Sequence, residues 1–163
     1  YDEPNFTGSS YSTVKGTTDR LMRQQFDSCA LNLRIRMPIT ASDNPRNFVT
    51  KITSYEKICS ITNSMTVLPA LLPRLVALME QKIVGTLNFT NPGTISHNEI
   101  LELYRELVDQ TFVWNNFSLP DQAKILASAR SNNGLDTTRL EQLCPHVPTI
   151  QDAVRECLQA DVV

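Results

Sequence analysis

Tyr11 and Lys15 stand four residues apart in the run Tyr11-Ser12-Thr13-Val14-Lys15, the pattern Y-x-x-x-K. On a helix that spacing puts the phenol and the ammonium on one face, one turn apart. A positive charge beside a phenol stabilises phenolate and draws the phenol pKa down from about 10. A phenol tuned in this way can give or take a proton at an alcohol or ketone oxygen while a hydride moves at the same carbon. The lysine is also placed to hydrogen-bond a ribose. Alone, the pair equally describes a surface tyrosine beside a solvated lysine, so its surroundings decide.

Those surroundings alternate helix and strand. An apolar stripe of Val14, Leu21, Met22 and Phe26 predicts a helix over 10–26 that carries the pair. Residues 30–37 alternate Leu31, Leu33, Ile35 and Met37 against Asn32, Arg34 and Arg36, which predicts a strand ended by Pro38. Asn44-Pro45 reads as the start of a short helix with Phe48, Val49 and Ile52, and 55–61 as a weak strand. Thr66 is expected to cap a core helix reaching Lys82, with Gly85 in the turn that follows it. A strand over 86–90 and the turn Asn91-Pro92-Gly93 come next. Ser96 and Glu99 then form a capping box for a helix containing Ile100, Leu101, Tyr104 and Val108. An aromatic strand or loop is expected over 112–117, and helices start at Asp136 and Thr149. Strands alternating with helices indicate an α/β fold with a largely parallel sheet. Ligands meet such sheets at loops after strands, which directs attention to 38–46 and 128–136.

In that context Y-x-x-x-K, opening a helix after a Gly/Ser loop and preceding a strand that ends Arg-Met-Pro, resembles the extended short-chain dehydrogenase/reductase family. The stretches PNFTGSSYSTVK (4–15), LRIRMPI (33–39), NPRNFVTKI (44–52), NSMTVLPALLP (63–73), NFTNPGTISHNEILELY (88–104) and ARSNNGLDTTRL (129–140) narrow it. They resemble the C-terminal half of the bifunctional 3,5-epimerase/4-reductases acting on a dTDP- or UDP-4-keto-6-deoxy-glucose. The resemblance implies that Tyr11 protonates the C4 oxygen as the ketone is reduced and that Lys15 supports it and anchors the cofactor ribose. Pro38 and Ile39 would set backbone groups against the nicotinamide, and Lys51 would be the general acid of the epimerisation. Arg130 would engage the diphosphate, with Asn47 and Asn133 as further nucleotide-sugar contacts. The implied cofactor is NADPH, with NADH as the alternative, and no metal is implied.

The same family holds its dinucleotide on a Gly-rich strand-turn-helix, and no G-x-G-x-x-G occurs among the five glycines at 8, 16, 85, 93 and 134. The expectation is therefore a single unit over 1–163: the last part of a doubly wound Rossmann-type sheet with a small, mostly helical substrate lobe. The dinucleotide-binding half would lie before Tyr11, and the 163 residues alone would be inactive. A monofunctional 4-dehydrorhamnose reductase, a non-catalytic regulatory relative and a truncated product are the competing readings.

Composition bounds the partners. The 163 residues carry a net charge of −2, from 15 Lys+Arg against 17 Asp+Glu, which excludes a dedicated nucleic-acid binder. The most apolar stretch, 67–79, is broken by Pro69, Pro73 and Arg74, so no membrane span is expected. Cys29, Cys59, Cys144 and Cys157 are scattered without C-x-x-C and read as reduced thiols of a cytoplasmic protein, Cys29 and Cys59 as buried ones. His97 reads as a surface residue in its capping box, and His146 lacks the company of a zinc site. A nucleotide sugar is the expected partner, and a homodimer is left open.

Overall fold

The computed structural model describes residues 9–125 and 132–160. In chain order the elements are α1 (Ser10–Gln25), β1 (Leu31–Arg34), β2 (Pro38–Ile39), α2 (Phe48–Thr53), β3 (Lys57–Ile58), β4 (Thr66–Val67), α3 (Leu68–Glu80), β5 (Gly85–Asn88), α4 (His97–Leu107), β6 (Asn115–Asn116), α5 (Leu119–Ile125), α6 (Thr138–Leu143) and α7 (Ile150–Ala160). The named strands pair in parallel, β1 with β5, β2 with β4 and β3 with β6. Helices alternating with parallel strands are what the α/β reading requires.

The alternation in β1 divides its surroundings. Leu31 and Leu33 pack with Leu71 and Leu78 of α3, Leu87 and Phe89 near β5, and Leu140 of α6. Asn32 and Arg34 face α1 instead. A second cluster joins Ile39, Ile52, Met65 and Val67 to Ile100 of α4 and Val154 of α7. A two-residue ladder supplies only a few hydrogen bonds at about 1 kcal/mol each. A buried Leu- or Ile-sized side chain contributes about 1.5–3 kcal/mol, so side-chain packing dominates the stability of β2 and β4. α3 buries Leu71 and Leu78 but presents Leu72, Val76 and Met79 to solvent, so only part of its surface is core.

Several local expectations are corrected. The strand expected over 30–37 stops at Arg34; residues 35–37 leave the strand, Met37 takes a left-handed φ of 40°, and a second strand, β2, starts at Pro38. Pro38 opens β2 opposite Thr66 instead of ending a strand; at the first position of so short a strand its missing N–H matters little. Asn47, not Asn44, caps α2, and Asn44 accepts from the Arg46 N–H at 2.8 Å in a local turn. Thr66 lies in β4, where its hydroxyl donates to the Phe89 carbonyl at 2.9 Å and accepts from the Arg36 N–H at 3.1 Å. Gly85 is the first residue of β5, at a φ of 91° that favours glycine. The Ser96–Glu99 capping box forms in both directions.

Candidate active site

α1 starts at a serine cap: the Ser9 hydroxyl accepts from the Ser12 N–H at 3.1 Å. Two residues past the cap, Tyr11 is 70 % exposed, and Lys15 Nζ lies 5.8 Å from the centre of its ring. Phenol and ammonium thus share one open face, as the i,i+4 spacing requires, with the cation over the ring. One turn beyond Lys15, the Asp19 carboxylate takes a forked pair of bonds from Arg34, Nε at 2.8 Å and Nη2 at 2.6 Å, and a third from Asn32 Nδ2 at 3.1 Å. The Arg34 hydrogen bond holds the Asp19 carboxyl below its usual pKa, against the opposing effect of burial.

This fork fixes the height of the helix on the sheet. Asp19 is bonded by Asn32 and by Arg34, the last residue of β1, so it is level with the second half of the strand. At 1.5 Å per residue, Tyr11 lies about 12 Å further along α1. The first turns of α1 therefore project past the carboxyl edge of the sheet, the side on which open α/β sheets receive ligands. The chain leaving β1 on that side runs through Pro38 (half-buried) and Ile39 (buried).

A second group of expected residues lies on the segment that follows. Asn47 is only 5 % exposed, and both ends of its carboxamide are engaged with its own loop. Its Oδ1 accepts from Thr40 N–H at 3.2 Å and Val49 N–H at 3.3 Å, and its Nδ2 donates to the Thr40 and Ser42 carbonyls at 3.0 and 3.1 Å. One turn on, Lys51 is exposed on α2. Asn133 is exposed, with its backbone N–H donated to Asn63 Oδ1 at 3.0 Å and its carbonyl accepting from Ser64 N–H at 2.9 Å. Arg130 lies outside the described residues.

Sequence reasoning missed the polar group beneath this segment. Arg36, half-buried beyond β1, donates to Asn63 Oδ1 at 2.8 Å, and desolvation lowers its pKa from the ordinary guanidinium value. The readable sign was a run of polar residues, Asn63, Ser64 and Thr66, entering an apolar helix. His97 is also corrected: it is half-buried, edge-on to Phe48 at 5.4 Å, with Nδ1 3.1 Å from the Ile61 carbonyl oxygen. Burial pushes its pKa down, partly opposed by that carbonyl. Trp114 packs, stacking on Phe112 at 6.0 Å and donating its indole N–H to Asn98 Oδ1 at 3.0 Å. The four cysteines are free thiols; Cys59 is buried, which raises its pKa, whereas Cys29 is exposed, contrary to expectation. Among the described residues no cluster of metal-ligating side chains occurs, and no helix is long and apolar enough to cross a membrane.

No family model matches the chain. It does match the crystal structure of a UDP-rhamnose synthase from Acanthamoeba polyphaga mimivirus, with 54 % identity and a TM-score of 0.93 over 97 % of this chain and 55 % of that one. It is 47 % identical over 154 residues to the bifunctional dTDP-4-dehydrorhamnose 3,5-epimerase/dTDP-4-dehydrorhamnose reductase of Arabidopsis thaliana, covering 94 % of this chain and 50 % of the relative. A dTDP-4-dehydrorhamnose reductase from Yersinia enterocolitica superposes with a TM-score of 0.69 at 19 % identity, over 93 % of this chain and 55 % of that one, a likeness of fold. The first two proteins are close homologues of the chain, which spans about half their length.

Proposed function

We propose that these 163 residues are the substrate-side half of an enzyme that epimerises and reduces a UDP- or dTDP-4-keto-6-deoxy-glucose to the nucleotide-linked L-rhamnose. The observation that carries this reading is the Tyr11–Lys15 pair, the cation over the ring on the open face of α1. The high identity to a UDP-rhamnose synthase supports the substrate class.

NADPH, or NADH in its place, would supply the hydride that reaches C4 of the sugar. Tyr11 donates its phenolic proton to the C4 oxygen, so the carbonyl becomes a secondary alcohol and the phenol a transient phenolate. Lys15, over the ring, stabilises that phenolate and hydrogen-bonds the ribose hydroxyls. The exposed phenol and ammonium fit the nicotinamide-ribose end of such a cofactor. Nothing in the sequence fits its pyrophosphate, since no G-x-G-x-x-G is present. The 163 residues by themselves therefore bind NADPH negligibly. Pro38 and Ile39 set the backbone against the nicotinamide, and Asn47 holds the 40–47 loop in shape for the sugar. Lys51 protonates the sugar carbon during epimerisation, and Arg130 takes the nucleotide diphosphate, with Asn133 as a further nucleotide-sugar contact.

Tyr11→Phe in the full-length protein tests the reading. Reduction of the 4-keto sugar, followed as NADPH oxidation, falls by about 100-fold or more, the contribution of a placed general acid. Nucleotide-sugar affinity stays within twofold. An undiminished reduction rate removes Tyr11 from the chemistry.

A further inference from the structure

Asn63 and Ser64 lie between β3 and β4, and both side chains are sealed from solvent at 0 % exposure. Adjacent polar side chains persist in a core only when their hydrogen-bonding groups are satisfied. Here the partners converge from three places. Asn63 Oδ1 accepts from the Arg36 guanidinium at 2.8 Å and from the Asn133 N–H at 3.0 Å. Its Nδ2 donates to the Ile61 carbonyl at 3.3 Å and to Asn132 Oδ1 at 3.2 Å. The Ser64 N–H donates to the Asn133 carbonyl at 2.9 Å, and the Ser64 hydroxyl accepts from the Leu135 N–H at 2.8 Å. The backbone of Asn63 is itself pinned by an antiparallel bridge to Ile95, 3.0 Å in each direction.

Residues 132–135 belong to no helix or strand. Their backbone groups have no ladder to satisfy them, so the bonds from Asn63 and Ser64 do the work of one. The chemistry of the site also specifies an amide. The oxygen side meets two donors and the nitrogen side meets two acceptors, so a carboxylate would set an oxygen against the Ile61 carbonyl and Asn132 Oδ1.

We propose that Asn63 and Ser64 are positioning residues for nucleotide-sugar binding. They fix the 132–135 loop to the segment entering β4 and to Arg36, and thereby hold the exposed Asn133 where it meets the nucleoside diphosphate. The inference rests on the function proposed above, which places the nucleotide at this loop. Neither buried side chain touches the ligand; each acts through the loop backbone.

The test is calorimetric titration of the full-length protein with UDP, dTDP and NADPH, for wild type, Ser64→Ala and Asn63→Asp. Ser64→Ala removes a single hydroxyl from the core and keeps the experiment interpretable if Asn63→Asp fails to fold. In Ser64→Ala the Kd for the preferred nucleoside diphosphate rises fivefold or more while the NADPH Kd stays within twofold; Asn63→Asp, where it folds, shows the larger loss. Nucleotide affinity unchanged in folded Ser64→Ala overturns the inference. So does an equal loss of nucleotide and NADPH affinity, which marks a purely structural role. A wild-type protein that binds NADPH but neither UDP nor dTDP instead overturns the proposed function, and this inference with it.

Discussion

Replacing Asp19 by Ala removes the forked contact that sets α1 on β1, and the size of the effect follows from its surroundings. The two side chains are 14 % and 19 % exposed, and the two bonds are 2.6 and 2.8 Å long. An exposed ion pair contributes about 0–1 kcal/mol, whereas breaking a buried one costs about 3–5 kcal/mol. A pair this shielded but still wetted falls between, at about 2 kcal/mol. Because Asp19 holds α1 at the level of the strand end, the loss appears first as local opening of α1. Amide hydrogen exchange in the second half of the helix should accelerate about 30-fold, the equivalent of 2 kcal/mol. A double-mutant cycle with Arg34→Ala in the full-length protein should give a coupling of about 1.5 kcal/mol. The pH dependence has a fixed sign. The Asp19 carboxyl is depressed in the folded protein, so its stabilisation is present above the unfolded value near 3.9 and is lost as pH falls through the lower folded value. Unchanged exchange in α1, together with a coupling under about 0.5 kcal/mol, would refute the idea that this fork positions the helix.

Three further outcomes are expected. Lys51→Met in the full-length protein should cut deuterium incorporation at the epimerised carbons of the 4-keto sugar by about 100-fold; exchange at the wild-type rate would take Lys51 out of the epimerisation. Gly85→Ala should cost about 1–3 kcal/mol in urea unfolding, because φ is 91° and the added Cβ would sit 3.2 Å from Arg139 Nη1, displacing a guanidinium that donates to the Thr86 and Val84 carbonyls. An alanine variant as stable as wild type would mean that Arg139 gives way freely. His97 is held neutral by burial, so the unfolded chain binds a proton before the folded one, and stability falls as pH drops below about 6.5. His97→Gln should flatten that part of the pH–stability curve, and a curve of unaltered slope would assign it to other groups.

What could be read from the sequence was what acts over one helical turn. The Tyr11–Lys15 face, the Ser96–Glu99 box and the amphipathic α4 and α7 are set by contacts within four residues, and each forms. Features that depend on distant partners were misread. Pro38 looked like a terminator because its partner Thr66 is far away in sequence. Thr66 looked like a helix cap because its bonds to Phe89 and Arg36 are equally non-local. Asn44-Pro45 looked like the helix start because the bonds that make Asn47 the cap, from its carboxamide to the Thr40 and Ser42 backbone, depend on how the preceding loop folds. Asn63 and Ser64 carried no periodic signal at all, since their role is defined by a loop about 70 residues further on.

A single strand exit thus organises both parts of the candidate site. Arg34, the last residue of β1, grips Asp19 and sets how far Tyr11 and Lys15 stand beyond the sheet. Two residues later Arg36 grips Asn63, which in turn holds the backbone of Asn133. Both arginines project from one short segment whose backbone carbonyls accept from the Phe89 and Thr66 N–H groups. Their separation is therefore fixed by covalent geometry and not by a soft contact between lobes. In the proposed enzyme one end of the substrate is a phosphorylated nucleoside and the other a ketone that must meet a phenol within hydrogen-bond reach. Registering both receptors against the same three residues of backbone makes that distance a property of the strand exit, and an error of 1 Å in such a distance is enough to cost about 100-fold in rate.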